Sequence, residues 1–181
     1  MELSSALHSI DAPLPVGITR AEFCTGRFRI SADVQTADKR LLDIMRDSTR
    51  HYIELRRMVV RAIDGVELAA HHPNGLLNKA EIDWVAVRAE PSRAEARLYG
   101  FVKKIPVRVV LLLDSHRIEG NVFVETSGTD PVSYFLRGIE KTGDRYLAVG
   151  SATITSSTGA VDDAALVIAN RNAVRLFSIV R

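Results

Sequence analysis

The stretch Val167-Ile168-Ala169-Asn170-Arg171-Asn172-Ala173-Val174-Arg175-Leu176-Phe177 decides the reading of this chain, because it has an echo. Leu76-Leu77-Asn78-Lys79-Ala80-Glu81-Ile82-Asp83-Trp84-Val85 has the same form: an apolar run, an asparagine, a base, two spacers, a β-branched residue and a bulky apolar one two positions on. Working outward, Phe28-Arg29-Ile30-Ser31-Ala32-Asp33-Val34 matches His116-Arg117-Ile118-Glu119-Gly120-Asn121-Val122 at an offset of 88 (117 − 29). Ile44-Met45-Arg46 matches Phe135-Leu136-Arg137 at 91 (137 − 46), Tyr52-Ile53 matches Tyr146-Leu147 at 94 (146 − 52), and Asn78-Lys79 matches Asn170-Arg171 at 92 (170 − 78). The offset drifts only across loops, as duplicated units should show.

Each unit reads strand, tight turn, strand, helical insertion, strand, loop, short strand, Asn-base turn, strand. In the first, Ile18 to Cys24 is a strand, Thr25-Gly26 a turn and Arg27 to Gln35 its hairpin partner, with Phe28, Ile30, Ala32 and Val34 on one face. Asp38 is expected to cap a helix over Lys39 to Arg46 with Leu41, Leu42, Ile44 and Met45 inward. Tyr52 to Ile63 is expected as strand, Asp64-Gly65 as a turn, His71-His72-Pro73-Asn74-Gly75 as a loop, Leu76-Leu77 as a short strand and Glu81 to Arg88 as the last one.

The second unit repeats this with strands over Val107 to Leu113, His116 to Glu125 and Gly143 to Thr155. Thr129 or Asp130 is expected to cap a helix that has Pro131 in its first turn and Val132, Phe135, Leu136 and Ile139 as its apolar stripe, and Ser156 to Ala160 is expected as a loop. The predicted organisation is an N-terminal arm at 1–12, a first barrel at 13–90, a linker and lead-in at 91–106 and a second barrel at 107–181. Five short antiparallel strands in some seventy residues favour curling into a small barrel over an open sheet wetted on both faces.

Composition narrows the function classes. The 181 residues are 46% hydrophobic and 25% charged, ordinary for a globular chain, and 24 bases against 22 acids give a formal charge of +2. That balance announces no partner by itself, but Arg46, Arg50, His51, Arg56, Arg57 and Arg61 cluster in sequence. They form either a solvated face or a patch for an anionic partner. No apolar run approaches the ~20 residues of a membrane helix, so no membrane association is expected. Met1 to Ala6 lacks the early bases and long apolar run of a secretory signal, and the lone Cys24 excludes an internal disulfide, so a cytoplasmic protein with a buried thiol is expected.

Candidate chemistry is sparse. His71-His72 is an adjacent pair in a predicted loop, short of the three or four converging donors a metal needs, and Asp162-Asp163 reads as a strand start. No phosphate-cradling glycine loop or Ser-His-Asp order is present. The expectation is therefore a non-catalytic protein with no cofactor and no metal. Asn78 and Asn170 read as turn-formers, by positive φ or by bonding nearby backbone amides, while Lys79 and Arg171 could project with them toward an anionic ligand.

On these residues the chain resembles the Sm-like small-barrel family. The glycine of the second strand is matched by Gly120 in Gly120-Asn121-Val122, and the apolar-Asn-base turn by Ala169-Asn170-Arg171-Asn172, with Ala32 and Asn78-Lys79 in the first unit. Arg117-Ile118-Glu119-Gly120 followed by a helix is similar to uncharacterised bacterial Sm-like proteins, over about 23–88 and 107–181. The resemblance implies a mainly β fold with short helices, two tandem five-stranded Sm-like small barrels, and edge strands that pair into a ring. Two fused units would pair internally, and three chains would imitate a six-unit ring.

It also implies RNA binding, here through Arg46, Arg50, Arg56, Arg57, Arg61, Asn78, Lys79, Asn170 and Arg171. The departures matter: the acidic-x-x-Met-Asn run is replaced by Glu125-Thr126-Ser127-Gly128-Thr129-Asp130, Arg-Gly by Arg171-Asn172, and the Tyr-Lys-His run is missing. The alternative is a protein-interaction or scaffold module that has lost RNA binding; a third reading is a small-molecule sensor with a site between the barrels.

Overall fold

The computed structural model describes residues 16–37, 39–63, 72–88, 104–125, 130–140 and 144–180. The N-terminal arm, the Asp38 and Thr129 caps, the Asp64-Gly65 turn, His71 and the linker at 91–103 lie outside them. The strands are β1 (Ile18–Thr25), β2 (Phe28–Gln35), β3 (Tyr52–Ala62), β4 (His72–Asn78), β5 (Ile82–Val87), β6 (Lys104–Leu112), β7 (His116–Glu125), β8 (Tyr146–Ser156), β9 (Val161–Asn170) and β10 (Leu176–Ile179). Helix α1 (Leu41–Arg46) and helix α2 (Pro131–Glu140) interrupt the β2–β3 and β7–β8 connections. One 3-10 turn, Lys79–Glu81 or Arg171–Ala173, precedes the last strand of each half.

All ten strands form one antiparallel sheet in the order β10-β6-β7-β8-β9-β5-β1-β2-β3-β4. It is mainly β with two short helices, and it is open: the sheet does not close into two separate barrels. The reason lies at its centre, where the last strand of the first half pairs across to the second, with Trp84 opposite Ala169, Val85 opposite Ile168, Ala86 opposite Val167 and Val87 opposite Leu166. Each half nevertheless repeats one order, β5-β1-β2-β3-β4 and β10-β6-β7-β8-β9, leaving β4 and β10 as the outer edges.

The repetition extends to irregularities. The β2–β3 ladder shifts register between Ser31 and Asp33, and the β7–β8 ladder between Glu119 and Asn121, bulges centred on the matched Ala32 and Gly120. Opposite them Arg57 and Ser151, 94 apart (151 − 57), are both held at φ 48°, a conformation bulky residues seldom take. Gly120 is needed where it stands, since a Cβ there would meet Val149 Cγ1 at 2.7 Å and the Gly150 carbonyl oxygen at 2.8 Å.

Burial follows the predicted faces in part: Phe28, expected on the inner face of β2, is exposed, and Ile44 of α1 is only half-buried. Ile30, Ala32 and Val34 are buried on β2, and Leu41, Leu42 and Met45 on α1. In α2 Phe135 is buried and stacks on Phe177 with ring centroids 4.5 Å apart, whereas Val132 and Leu136 of the expected stripe are exposed. Strand β4 differs from the sequence reading: residues 72–75, expected as loop, pair with β3 from Met58 opposite His72 to Leu55 opposite Gly75. At an edge only one side of a strand must hydrogen-bond, which makes Pro73 admissible.

The halves share their cores. Cys24, Trp84 and Ala86 pack with Val109, Leu111 and Ile118 of the second half, while Tyr146 and Ile168 pack with Phe23, Met45 and Ile82 of the first. Because side chains alternate along paired strands, β5 and β9 each feed both clusters. Burial of a large side chain is worth about 1.5–3 kcal/mol, so this exchange makes the halves interdependent.

Candidate functional site

Asn78 and Asn170 hold matching turns. Their φ values are −68° and −74°, so positive φ is not used; each side-chain oxygen instead accepts from the amide two residues on, Ala80 N at 3.0 Å and Asn172 N at 3.1 Å. Both turns are also tied back to the strand entry before them, Lys79 N donating to the His51 carbonyl (2.9 Å) and Arg171 N to the Arg145 carbonyl (2.7 Å).

The bases that follow point inward. Lys79 is 6% exposed, and its Nζ donates to the carbonyl oxygens of Ile44 (2.6 Å) and Asp47 (2.9 Å) at the C-terminal end of α1. Arg171 is 3% exposed; its Nη1 donates to the Phe135 carbonyl at 2.6 Å, and its guanidinium lies over the Tyr134 and Phe135 rings. Ile44 and Phe135 are themselves matched positions, so both bases clamp a helical insertion onto the sheet. Burial lowers the pKa of each. Sequence spacing located these residues, but side-chain direction depends on a helix brought over them by the fold.

The sequence cluster of arginines divides. Arg57 is bonded to buried Asp33, its Nε donating at 2.5 Å, with Arg20 Nε on the other carboxylate oxygen at 2.8 Å. Arg56 makes a loose, exposed pair with Glu54 at 3.3 Å. Arg61 lies near the far end of β3, opposite Arg29. Only Arg46 and Arg50 remain beside the Asn78-Lys79 turn.

There they meet the second half. A hollow of about 190 Å³ is lined by Arg46, Asp47, Arg50, His51, Asn78 and Lys79 of the first half and by Arg145 and Tyr146 of the second. Arg46 bridges the halves, with Nε 2.9 Å from Asp144 Oδ1, Nη2 2.6 Å from Asp144 Oδ2 and 3.3 Å from the Tyr146 carbonyl oxygen. Among the described residues, the guanidiniums of Arg50 and Arg145 have no hydrogen-bond or ion-pair partner. The lining bases Arg46, Arg50, Lys79 and Arg145 face a single lining acid, Asp47. Asp47 accepts from the Thr49 hydroxyl and amide, which lowers its pKa and keeps it ionised. Arg145 escapes sequence reasoning about local clusters; the signal for it is the repeat, which matches it to His51 (145 − 51 = 94).

Asn170 and Arg171 stand apart from this hollow as a pair, Asn170 donating through Nδ2 to the Ile82 carbonyl at 2.8 Å. His72 is exposed on β4. Among the described residues no three His, Cys, Asp or Glu side chains are placed to hold a metal, and no helix is long and apolar enough to cross a membrane. No family model, no curated protein and no solved structure matches this chain.

Proposed function

We propose that the chain is a non-catalytic Sm-like protein, a tandem of two five-stranded Sm-like units within one open sheet, that binds single-stranded nucleic acid and RNA in particular. The observation that carries this reading is the hollow between the halves, where Arg50 and Arg145, whose guanidiniums have no partner among the described residues, stand beside Arg46 and His51. Guanidinium forks match phosphate oxygens, and such contacts dominate affinity for nucleic acid. Tyr146 does not serve as a stacking platform, because its ring is buried, so binding rests on phosphate contacts and is tolerant of sequence. Fluorescence anisotropy with a short single-stranded RNA tests it: affinity should fall steeply with added salt, and no retention at low salt refutes it.

The same reading includes assembly. Identical strand order in the two halves supports the tandem-unit description, and β5–β9 pairing provides a template for joining β10 of one chain to β4 of the next. Shifting that register by 92 places Leu176 opposite Leu77, Phe177 opposite Leu76 and Ser178 opposite Gly75. Leu76 and Leu176 are 71% and 51% exposed in the single chain. Three chains closing in this way form a homo-trimeric ring of six units, for which the reducing cytoplasm suits the buried, unpaired Cys24.

The alternative is a protein-interaction or scaffold module, and the exposed apolar edges are what favour it, since an edge strand captures foreign strands as readily as its own kind. Recovery of nuclease-protected RNA with the purified protein would count against that alternative.

A further inference from the structure

At the opposite end of β8 from the basic hollow, a second cleft of about 340 Å³ opens between the halves. Its volume falls within the ~300–1,000 Å³ of small-ligand sites. The first half contributes Glu22, Arg29, Arg61 and Arg88, and the second contributes Asp162. Arg29 donates through Nε to Glu22 and through Nη2 to Asp162 Oδ2 at 2.8 Å, while its guanidinium lies 5.7 Å from the Trp84 ring centroid. Arg88 reaches the same two carboxylates at 3.3 and 3.1 Å. Three guanidiniums thus face two carboxylates, and Arg61 has no hydrogen-bond or ion-pair partner among the described residues.

Hydroxyls line the other wall. Ser156, Ser157 and Thr158 form the β8–β9 turn, Ser156 Oγ lying 2.8 Å from Thr158 Oγ1. Beside them His116 packs edge-on against Trp84 at 5.2 Å, with Nδ1 2.8 Å from Ser115 Oγ. Burial, then the Arg29 charge, lowers its pKa, so the ring is neutral near pH 7. When the Ser115 hydroxyl donates to Nδ1, the ring proton sits on Nε2, a further donor at the cleft wall.

The repeat supplies an internal control. The matched residues, which for Glu22 and Arg88 lie at the outer β10 edge, do not carry this network. Instead Glu22 matches Val110 (110 − 22 = 88), Arg88 matches Val180 (180 − 88 = 92) and His116 matches Phe28 (116 − 28 = 88). The repeat keeps an arginine at the Arg29 position (Arg117) but carries apolar residues at those three places, so Glu22, Arg88 and His116 are particular to this cleft.

We propose that this cleft is a binding site for a small phosphate-bearing anion, held by Arg61 and Arg88 on one side and by the Ser157 and Thr158 hydroxyls on the other. It is independent of the basic hollow, and the two are separable by mutation. The test is a titration of the full chain with inorganic phosphate at constant ionic strength, followed by amide and His116 ring resonances. Saturable shifts at Ser157, Thr158 and His116 are expected, weakened about tenfold or more in Arg61→Gln and unchanged in Arg50→Ala/Arg145→Ala. The amide spectrum verifies that each variant is folded. Equal shifts with acetate or chloride, or undiminished phosphate affinity in folded Arg61→Gln, would overturn the proposal.

Discussion

The hydroxyl of Tyr146 donates to the carbonyl oxygen of Lys79 at 2.8 Å, joining the second half of the chain to the turn that ends β4 of the first. Asn170 donates across the same junction to Ile82. The matched residue of the first half, Tyr52, stands on β3 beside the edge strand β4, opposite Asn78, and is 55% exposed. In the proposed ring it would donate to the Arg171 carbonyl of a neighbouring chain, and Asn78 to that chain's Val174. The junction within the chain is thus the template from which the proposed assembly is drawn.

Leu76→Lys should abolish self-association and leave the chain folded. Leu76 is exposed in the single chain, so the expected stability change is within about 0.5 kcal/mol. A charge placed against the neighbour's Phe177 would oppose edge pairing. Mass by light scattering and the urea midpoint check the two halves of the prediction.

Arg171→Ala should act on stability and leave nucleic-acid contact alone. It removes a buried charge-assisted bond to the Phe135 carbonyl and the packing of the guanidinium on two rings. A loss of about 2–3 kcal/mol in urea unfolding is expected, with RNA affinity per folded molecule unchanged.

Arg50→Ala/Arg145→Ala has the reverse signature. Neither guanidinium has a partner among the described residues, so the unfolding midpoint should hold while RNA affinity falls by about tenfold or more and the salt slope flattens by about two phosphate contacts. Anisotropy at several salt concentrations measures both.

Gly120→Ala tests the bulge. The added Cβ would lie 2.7 Å from Val149 Cγ1 and 2.8 Å from the Gly150 carbonyl oxygen, at an expected cost of about 1–3 kcal/mol. Ala32→Gly at the matched position of the first half removes a buried methyl without relieving any clash, so it should not stabilise the protein.

Stability should be greatest between about pH 6.5 and 9. Burial raises the Cys24 thiol from 9.0 to about 12 and the Tyr146 phenol from 10.0 to about 12. Above pH 9 the unfolded chain therefore holds fewer of these two protons than the folded one, and they make stability fall as pH rises, against the opposite and single contribution of Lys79, whose pKa burial lowers from 10.5. His116, lowered from 6.5, has the opposite sense: below 6.5 the unfolded chain gains a proton the folded one resists, and stability falls with acid. Urea midpoints across pH 5 to 10 trace both limbs, and native Cys24 should stay inert to thiol reagents at pH 8.

Much of this architecture is legible in the residues. Alternation in β2 and the caesura at Thr25-Gly26 define the first hairpin, and the matched Asn78-Lys79 and Asn170-Arg171 turns reveal two copies of one unit. What sequence could not supply is non-local. The exchange of Trp84 and Tyr146 between cores depends on β5 meeting β9, whose partners are 79 (166 − 87) to 85 (169 − 84) residues apart in sequence, and an open sheet results where closed barrels are expected. The arginine cluster misleads for a related reason: four residues of extended strand carry Arg61 about 13 Å beyond Arg57, so Arg57 meets Asp33 while Arg61 joins the far cleft.

The most direct test of the account is size-exclusion chromatography with light scattering, read together with the 260/280 nm absorbance of the eluting peak. Three 20.0-kDa chains predict a particle of about 60 kDa with nucleic acid retained at low salt and shed at high salt. A 20.0-kDa monomer with protein absorbance alone at every salt concentration would contradict it.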